Sequence, residues 1–188
     1  MTNISNAKIA ILATDGFEKS ELFEPRKQLK DAGADVTIVS LQSGSIKSWD
    51  QKDWGESISV DLTLDDANES DFDALVLPGG QINPDLLRVE DKAVDFVKSF
   101  FNAGKPIAAI CHAPWLLIEA DLVQGRKMTG YKSIKTDLIN AGARFEDSGV
   151  VVDNGLITSR NPGDLDAFSA KIIEEVKEGL HKRMQQAA

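Results

Sequence analysis

A chain of 188 residues with 42% hydrophobic and 27% charged residues has the size and balance of one globular domain around one core. Its net charge of −9, from 21 basic and 30 acidic residues, repels phosphate backbones and anionic membrane faces, so neither nucleic acid nor a membrane is expected as a partner. The single cysteine rules out an intrachain disulfide, no stretch reaches about 18 consecutive apolar residues, and Met1 to Asn6 lacks the pattern of a signal peptide, so a cytoplasmic location is expected.

In chain order, Lys8 to Ala13 is a short apolar run of the kind buried on both faces of a parallel sheet, and it ends at Thr14-Asp15-Gly16. Ser20 to Ala32 follows with Leu22, Arg26 and Leu29 at helical spacing, Pro25 in its first turns and Gly33 as terminator. Val36 to Leu41 repeats the strand signal. The polar stretch Gln42 to Ser57, carrying Trp49 and Trp54, reads as a long loop or irregular excursion. Ala74 to Leu77 is a third strand ending on Pro78-Gly79-Gly80, and Asp91 to Ala103 is an amphipathic helix closed by Gly104. Lys105 to Ile110 is a fourth strand aimed at Cys111. Ser133 to Ala141 reads as a short helix, Val150 to Val152 and Leu156 to Thr158 as a hairpin around Asp153-Asn154-Gly155, and Asp164 to Leu180 as a last helix. Residues 1–180 therefore form one α/β domain with a mostly parallel sheet and helices on both faces, and 181–188 a tail.

Ligands of such folds gather outside the carboxyl ends of the strands, where Asp15 to Glu18, Pro78 to Gly80 and Cys111 to Pro114 converge. A lone cysteine is ordinarily a small buried hydrophobe. Cys111, however, follows its strand, with Ala109 and Ala113 two residues away on each side and a helix expected from Pro114. Small neighbours are what a sharp strand-to-helix elbow needs to lift a nucleophile above the sheet edge. The helix N-terminus is expected to lower the thiol pKa below about 8.5. His112 is the candidate base, Glu18 the acid placed to hydrogen-bond the sulfur, and Gly79 and Gly80 the backbone donors for an oxyanion. Two histidines and one cysteine without ligand spacing argue against a metal, and the missing Gly-x-Gly-x-x-Gly and Walker loops argue against a nucleotide cofactor, so no cofactor is expected.

Taken together, Asp15-Gly-Phe-Glu18, Ala74-Leu-Val-Leu-Pro-Gly-Gly80, Lys105-Pro-Ile-Ala-Ala-Ile-Cys-His-Ala-Pro114, Gly125-Arg-Lys127, Asn140-Ala-Gly142 and Thr158-Ser-Arg-Asn-Pro162 resemble the PfpI and ThiJ group of the class I glutamine-amidotransferase-like superfamily. The resemblance implies a flavodoxin-like sandwich with an elbow cysteine at Cys111, His112 beside it and Glu18 on the sulfur. It further implies a dimer or hexamer in which an acid from a neighbouring subunit, at the position of Asp85, completes the arrangement, with Trp115 lining the pocket. Here Cys-His-Gly of the family is Cys111-His112-Ala113, and Asp85 is one methylene shorter than the usual glutamate. Members are described as intracellular peptidases, general stress proteins and glyoxalase or deglycase enzymes. Chemistry on small carbonyls or their adducts is favoured over peptide cleavage. The rival is a redox-sensing stress protein or chaperone whose Cys111 is oxidised without turnover. A glutamine amidotransferase is disfavoured, because the one downstream histidine reads His181-Lys-Arg183 instead of His-x-Glu.

Overall fold

The computed structural model describes residues 3–181. Its strands are β1 (Lys8–Leu12), β2 (Phe17–Glu18), β3 (Asp35–Ser40), β4 (Ser45–Asp50), β5 (Asp53–Ser59), β6 (Leu62–Thr63), β7 (Ala74–Leu77), β8 (Ile107–Ile110), β9 (Lys127–Met128), β10 (Arg144–Phe145), β11 (Val150–Asp153) and β12 (Leu156–Ser159). The α-helices are α1 (Lys19–Asp31), α2 (Ile82–Leu87), α3 (Asp91–Asn102), α4 (Pro114–Glu119), α5 (Lys135–Asn140) and α6 (Leu165–Glu178).

Seven strands form the central sheet in the order β11-β12-β8-β7-β1-β3-β6. Every neighbouring pair is parallel except the β11–β12 hairpin, whose turn at Asn154 and Gly155 has two positive φ angles of 51° and 79°. The period of two along each strand decides which layer a side chain enters. Ile9, Ile11, Val76, Ala108 and Ile110 pack with Leu22 and Leu29 of α1 and Phe168 and Ile172 of α6. Ala10, Leu12, Leu75, Leu77 and Ala109 face Val97 and Phe100 of α3, Leu116 and Leu117 of α4 and Leu138 of α5. Both faces are thus covered, which is why these strands read as continuous apolar runs. The architecture is a flavodoxin-like α/β sandwich, as expected.

Two local expectations give way. The stretch Gln42 to Ser57 is largely the β4–β5 hairpin, which joins β2 in a three-stranded sheet. Its strand signal is masked by a register shift between Lys47 and Trp49 that interrupts the alternation, and by an almost wholly exposed β5. Trp49 and Trp54 pack edge to face across it, 5.5 Å apart. His181, read as the start of a tail, is docked: its N–H donates to the Gly104 carbonyl at 2.7 Å and its ring lies 3.2 Å from the Glu175 carboxylate. Both contacts join residues far apart in sequence or on different elements, so local composition does not reveal them. Residues 182–188 lie outside the described residues.

Candidate active site

Cys111 leaves β8 in the left-handed region, with φ of 64°. That conformation costs a non-glycine residue about 1–2 kcal/mol and persists where the surroundings hold it. Two hydrogen bonds do so. The Cys111 N–H donates to the Ser159 carbonyl of β12 at 3.1 Å, and its carbonyl accepts from the Tyr131 N–H at 2.8 Å. Ala109 and Ala113, both fully buried, keep the elbow uncrowded, and α4 starts at Pro114. Only 5% of Cys111 is exposed.

Opposite this elbow stands the Pro78-Gly79-Gly80 turn at the end of β7. A fully buried Asn83 ties it to β1, donating to the carbonyls of Pro78 (2.9 Å) and Gly79 (3.2 Å) while its Oδ1 accepts from the Thr14 N–H (2.8 Å). A Cβ on Gly79 would lie 2.6 Å from Cys111 Cβ, so only glycine lets the turn approach the sulfur this closely. Gly80, with φ of 81°, turns its N–H toward both Cys111 and Glu21.

The acid at the sulfur is Glu21, which replaces Glu18 in the sequence reading. Glu18 is the N-cap of α1, and its carboxylate accepts from the Glu21 N–H at 2.8 Å and from the Ser20 hydroxyl at 2.6 Å. Three residues on, Glu21 lies on the helix face that carries Leu22, Pro25 and Leu29 into the core. It is 0% exposed, accepts the Gly79 N–H on Oε2 at 3.0 Å and interacts with the Cys111 thiol. Its Oε1 is buried without a hydrogen-bond partner. Burial, and then the charge of Glu18, push the Glu21 carboxyl up to about 8, so it keeps its proton at neutral pH.

Gly79 is therefore no oxyanion donor, because its N–H is committed to Glu21. The amides that face the sulfur are those of Gly80 and His112. The thiol itself is not lowered as expected from a helix N-terminus. Burial pushes it up, and the negative charge that Glu21 carries when ionised adds to this.

His112 Nδ1 lies 3.1 Å from Cys111 Sγ. Its Nε2 lies 3.0 Å from the Ser133 hydroxyl, Tyr131 stacks on the ring at 4.7 Å, and Trp115 meets it edge-on at 5.1 Å. Burial holds the imidazole pKa below its ordinary value, with the Asp137 charge opposing, so the ring is neutral at pH 7. Trp115 thus packs against the His112 ring, its indole N–H donating to Asp137 at 2.8 Å. Asp85 is exposed on α2 and makes no hydrogen bond or ion pair among the described residues, so it does not belong to the site within one chain. Behind Tyr131 opens a cavity of about 510 Å³ lined also by Lys132, Lys135, Phe145 and Arg160. Arg160 is fixed by Asp164 (2.9 and 3.1 Å) and Asp147 (2.8 Å). Among the described residues, one set of potential metal ligands converges within 4.8 Å, Glu175, Glu178 and His181 at the end of α6, away from this sheet edge.

Residues 7–175 match the DJ-1/PfpI family. The chain belongs to that family. General stress protein 18 of Bacillus subtilis is 47% identical over 167 residues, which are 88% of this chain and 95% of that protein. Protein/nucleic acid deglycase 2 of Escherichia coli is 46% identical over 167 residues, with the same 88% and 95% coverage. The crystal structure of Drosophila melanogaster DJ-1beta superposes with a TM-score of 0.81 at 32% identity, covering 92% of this chain and 95% of the fly protein. No helix among the described residues is long and apolar enough to cross a membrane.

Proposed function

We propose that this protein is a cysteine-dependent enzyme of stress defence that acts on small reactive carbonyls or their adducts. The observation that carries the reading is a thiol set 3.1 Å from a neutral imidazole on one side and beside a protonated carboxyl on the other. Neutral His112 takes the thiol proton on Nδ1, and the thiolate adds to the aldehyde carbon. The carbonyl electron pair moves to oxygen, where the Gly80 and His112 amides face the developing charge and Glu21 supplies the proton. The Glu21 carboxylate so formed takes the proton from the former aldehyde carbon while protonated His112 gives its proton to the neighbouring carbonyl oxygen, leaving an enediol. Glu21 then returns its proton to the second carbon and the first hydroxyl gives its proton back to His112, which leaves a thioester. Water adds to the thioester carbon and gives a proton to Glu21 as the sulfur leaves and takes the proton from His112. No oxidant or metal enters, and Cys111 is regenerated. The relatives named as a deglycase and a stress protein support the same reading.

A second reading draws on the same acid. A protonated Glu21 is placed to donate to an oxygen on an oxidised Cys111, which suits a redox sensor. Turnover separates the two. With methylglyoxal as substrate, Cys111→Ala is expected to be inactive and Glu21→Gln to lose at least about a hundredfold in kcat, since it holds no transferable proton. His112→Gln is expected to slow alkylation of Cys111 by iodoacetamide about tenfold or more. Turnover that survives in Cys111→Ala, or an absence of turnover in the wild type, would exclude the enzyme reading.

A further inference from the structure

We propose that Ser133 is a positioning residue for His112, its hydroxyl setting which ring nitrogen faces the Cys111 thiol. The proposal rests on the enzyme reading above and names the group that sets its base. A neutral imidazole carries a proton on one nitrogen only, and what each nitrogen faces decides which one. His112 Nδ1 is 3.1 Å from a thiol, and Nε2 is 3.0 Å from a hydroxyl. With the proton on Nε2, that N–H donates to Ser133 Oγ and the Nδ1 lone pair faces the thiol, ready to take its proton. The opposite tautomer would set Nδ1–H against S–H and leave no base at the sulfur. Once the proton moves from sulfur to Nδ1, Nε2–H keeps the same acceptor, so the ring need not turn and the new positive charge is met by an oxygen already in place.

Among the described residues of this chain, the Ser133 hydroxyl is the one group within hydrogen-bond distance of Nε2. Tyr131 covers one face, and the indole N–H of Trp115 is committed to Asp137. The charged groups near His112 are Asp137 on α5, which favours its protonated form, and Arg88, which lies over the outer side of Trp115 at 5.6 Å. Glu21 stands beyond the sulfur. Ser133 lies in a 3₁₀ turn, Lys132–Ile134, that begins one residue after the Tyr131 N–H grips the Cys111 carbonyl. The elbow and the hydroxyl that orients its base are therefore tied to one short segment.

The test uses the full-length protein. Long-range ¹H–¹⁵N correlation spectra report the protonation of each ring nitrogen, and with two histidines in the chain His181→Gln assigns them. Nε2 of His112 is expected to stay protonated from about pH 6 to about pH 9. Ser133→Ala is expected to shift both nitrogen signals of His112, to slow iodoacetamide alkylation about fivefold at pH 7 and to move its pH midpoint upward, while Ser133→Thr restores all three. A proton on Nδ1 alone in the wild type, or a Ser133→Ala variant with unchanged nitrogen signals and pH profile, overturns the proposal. If the wild type does not turn over methylglyoxal, the enzyme reading fails, and the nitrogen spectra still decide the place of Ser133.

Discussion

Replacing Glu21 with Gln keeps the shape of the side chain and an acceptor for the Gly79 N–H, and removes only the ionisable proton. The wild-type carboxyl titrates at about 8 in the folded protein, against an ordinary value of 4.5. Between those limits the folded chain holds a proton that the unfolded chain has released, so the native state binds more protons and stability falls as pH rises. The fall is about 1.4 kcal/mol for each pH unit, or about 5 kcal/mol across the whole window. Below pH 4.5 both states are protonated and this penalty is absent. Gln carries no such penalty at any pH, and the cost of burying its amide is constant. The stability difference, Gln variant minus wild type, is therefore expected to grow by about 4 kcal/mol from pH 5 to pH 8. Urea unfolding at fixed protein concentration, with one curve at each pH, measures it. Cys111 of the unfolded chain, titrating near about 8.5, disturbs only the top of the range. Two stability profiles that run parallel within about 0.5 kcal/mol would show that Glu21 is already ionised in the fold, and the proton donor of the proposed reaction would be lost with it.

Two further substitutions test the scaffold. Gly79→Ala places a Cβ 2.6 Å from Cys111 Cβ and 2.7 Å from the Ile110 carbonyl, so the turn must move off the elbow. A loss of about 2–3 kcal/mol in urea unfolding is expected, together with faster alkylation of the uncovered thiol. Asn83→Ala leaves the Thr14 N–H and the carbonyls of Pro78 and Gly79 without their buried partner. It is expected to cost about 2–4 kcal/mol in the same assay and to lower kcat for methylglyoxal more than it raises KM, because the Gly80 amide loses its register with the sulfur. Stability within about 0.5 kcal/mol of the wild type in either case would mean that the β7 turn is not held as described.

Much of this site is legible in the sequence, because its pieces are local. Apolar runs that end in Asp15-Gly16, Gly79-Gly80 and Cys111-His112 place three segments at the carboxyl edge of a parallel sheet, and Ala109 and Ala113 betray the elbow. The choice between Glu18 and Glu21 was also within reach: Glu21 shares a helical stripe with Leu22, Pro25 and Leu29, and an acid on an apolar stripe is a buried acid. What misleads is the chain position of Glu18 next to the strand end, where capping the helix is the stronger demand on a carboxylate. Ser133 and Asn83 carry no such mark, since their partners lie 21 residues away at His112 and 69 residues away at Thr14.

The fold class and the place of Cys111 and His112 at the carboxyl edge of the sheet followed from hydrophobic period and turn chemistry, which act over a few residues and leave their pattern in the chain. The protonation states did not. Whether a thiol or carboxyl holds its proton depends on how completely water is excluded and which charges share the space, and those are properties of packed layers. Only the tertiary structure showed that the Glu21 carboxyl keeps its proton, that burial raises the thiol instead of the helix lowering it, and that the Gly79 amide is already taken.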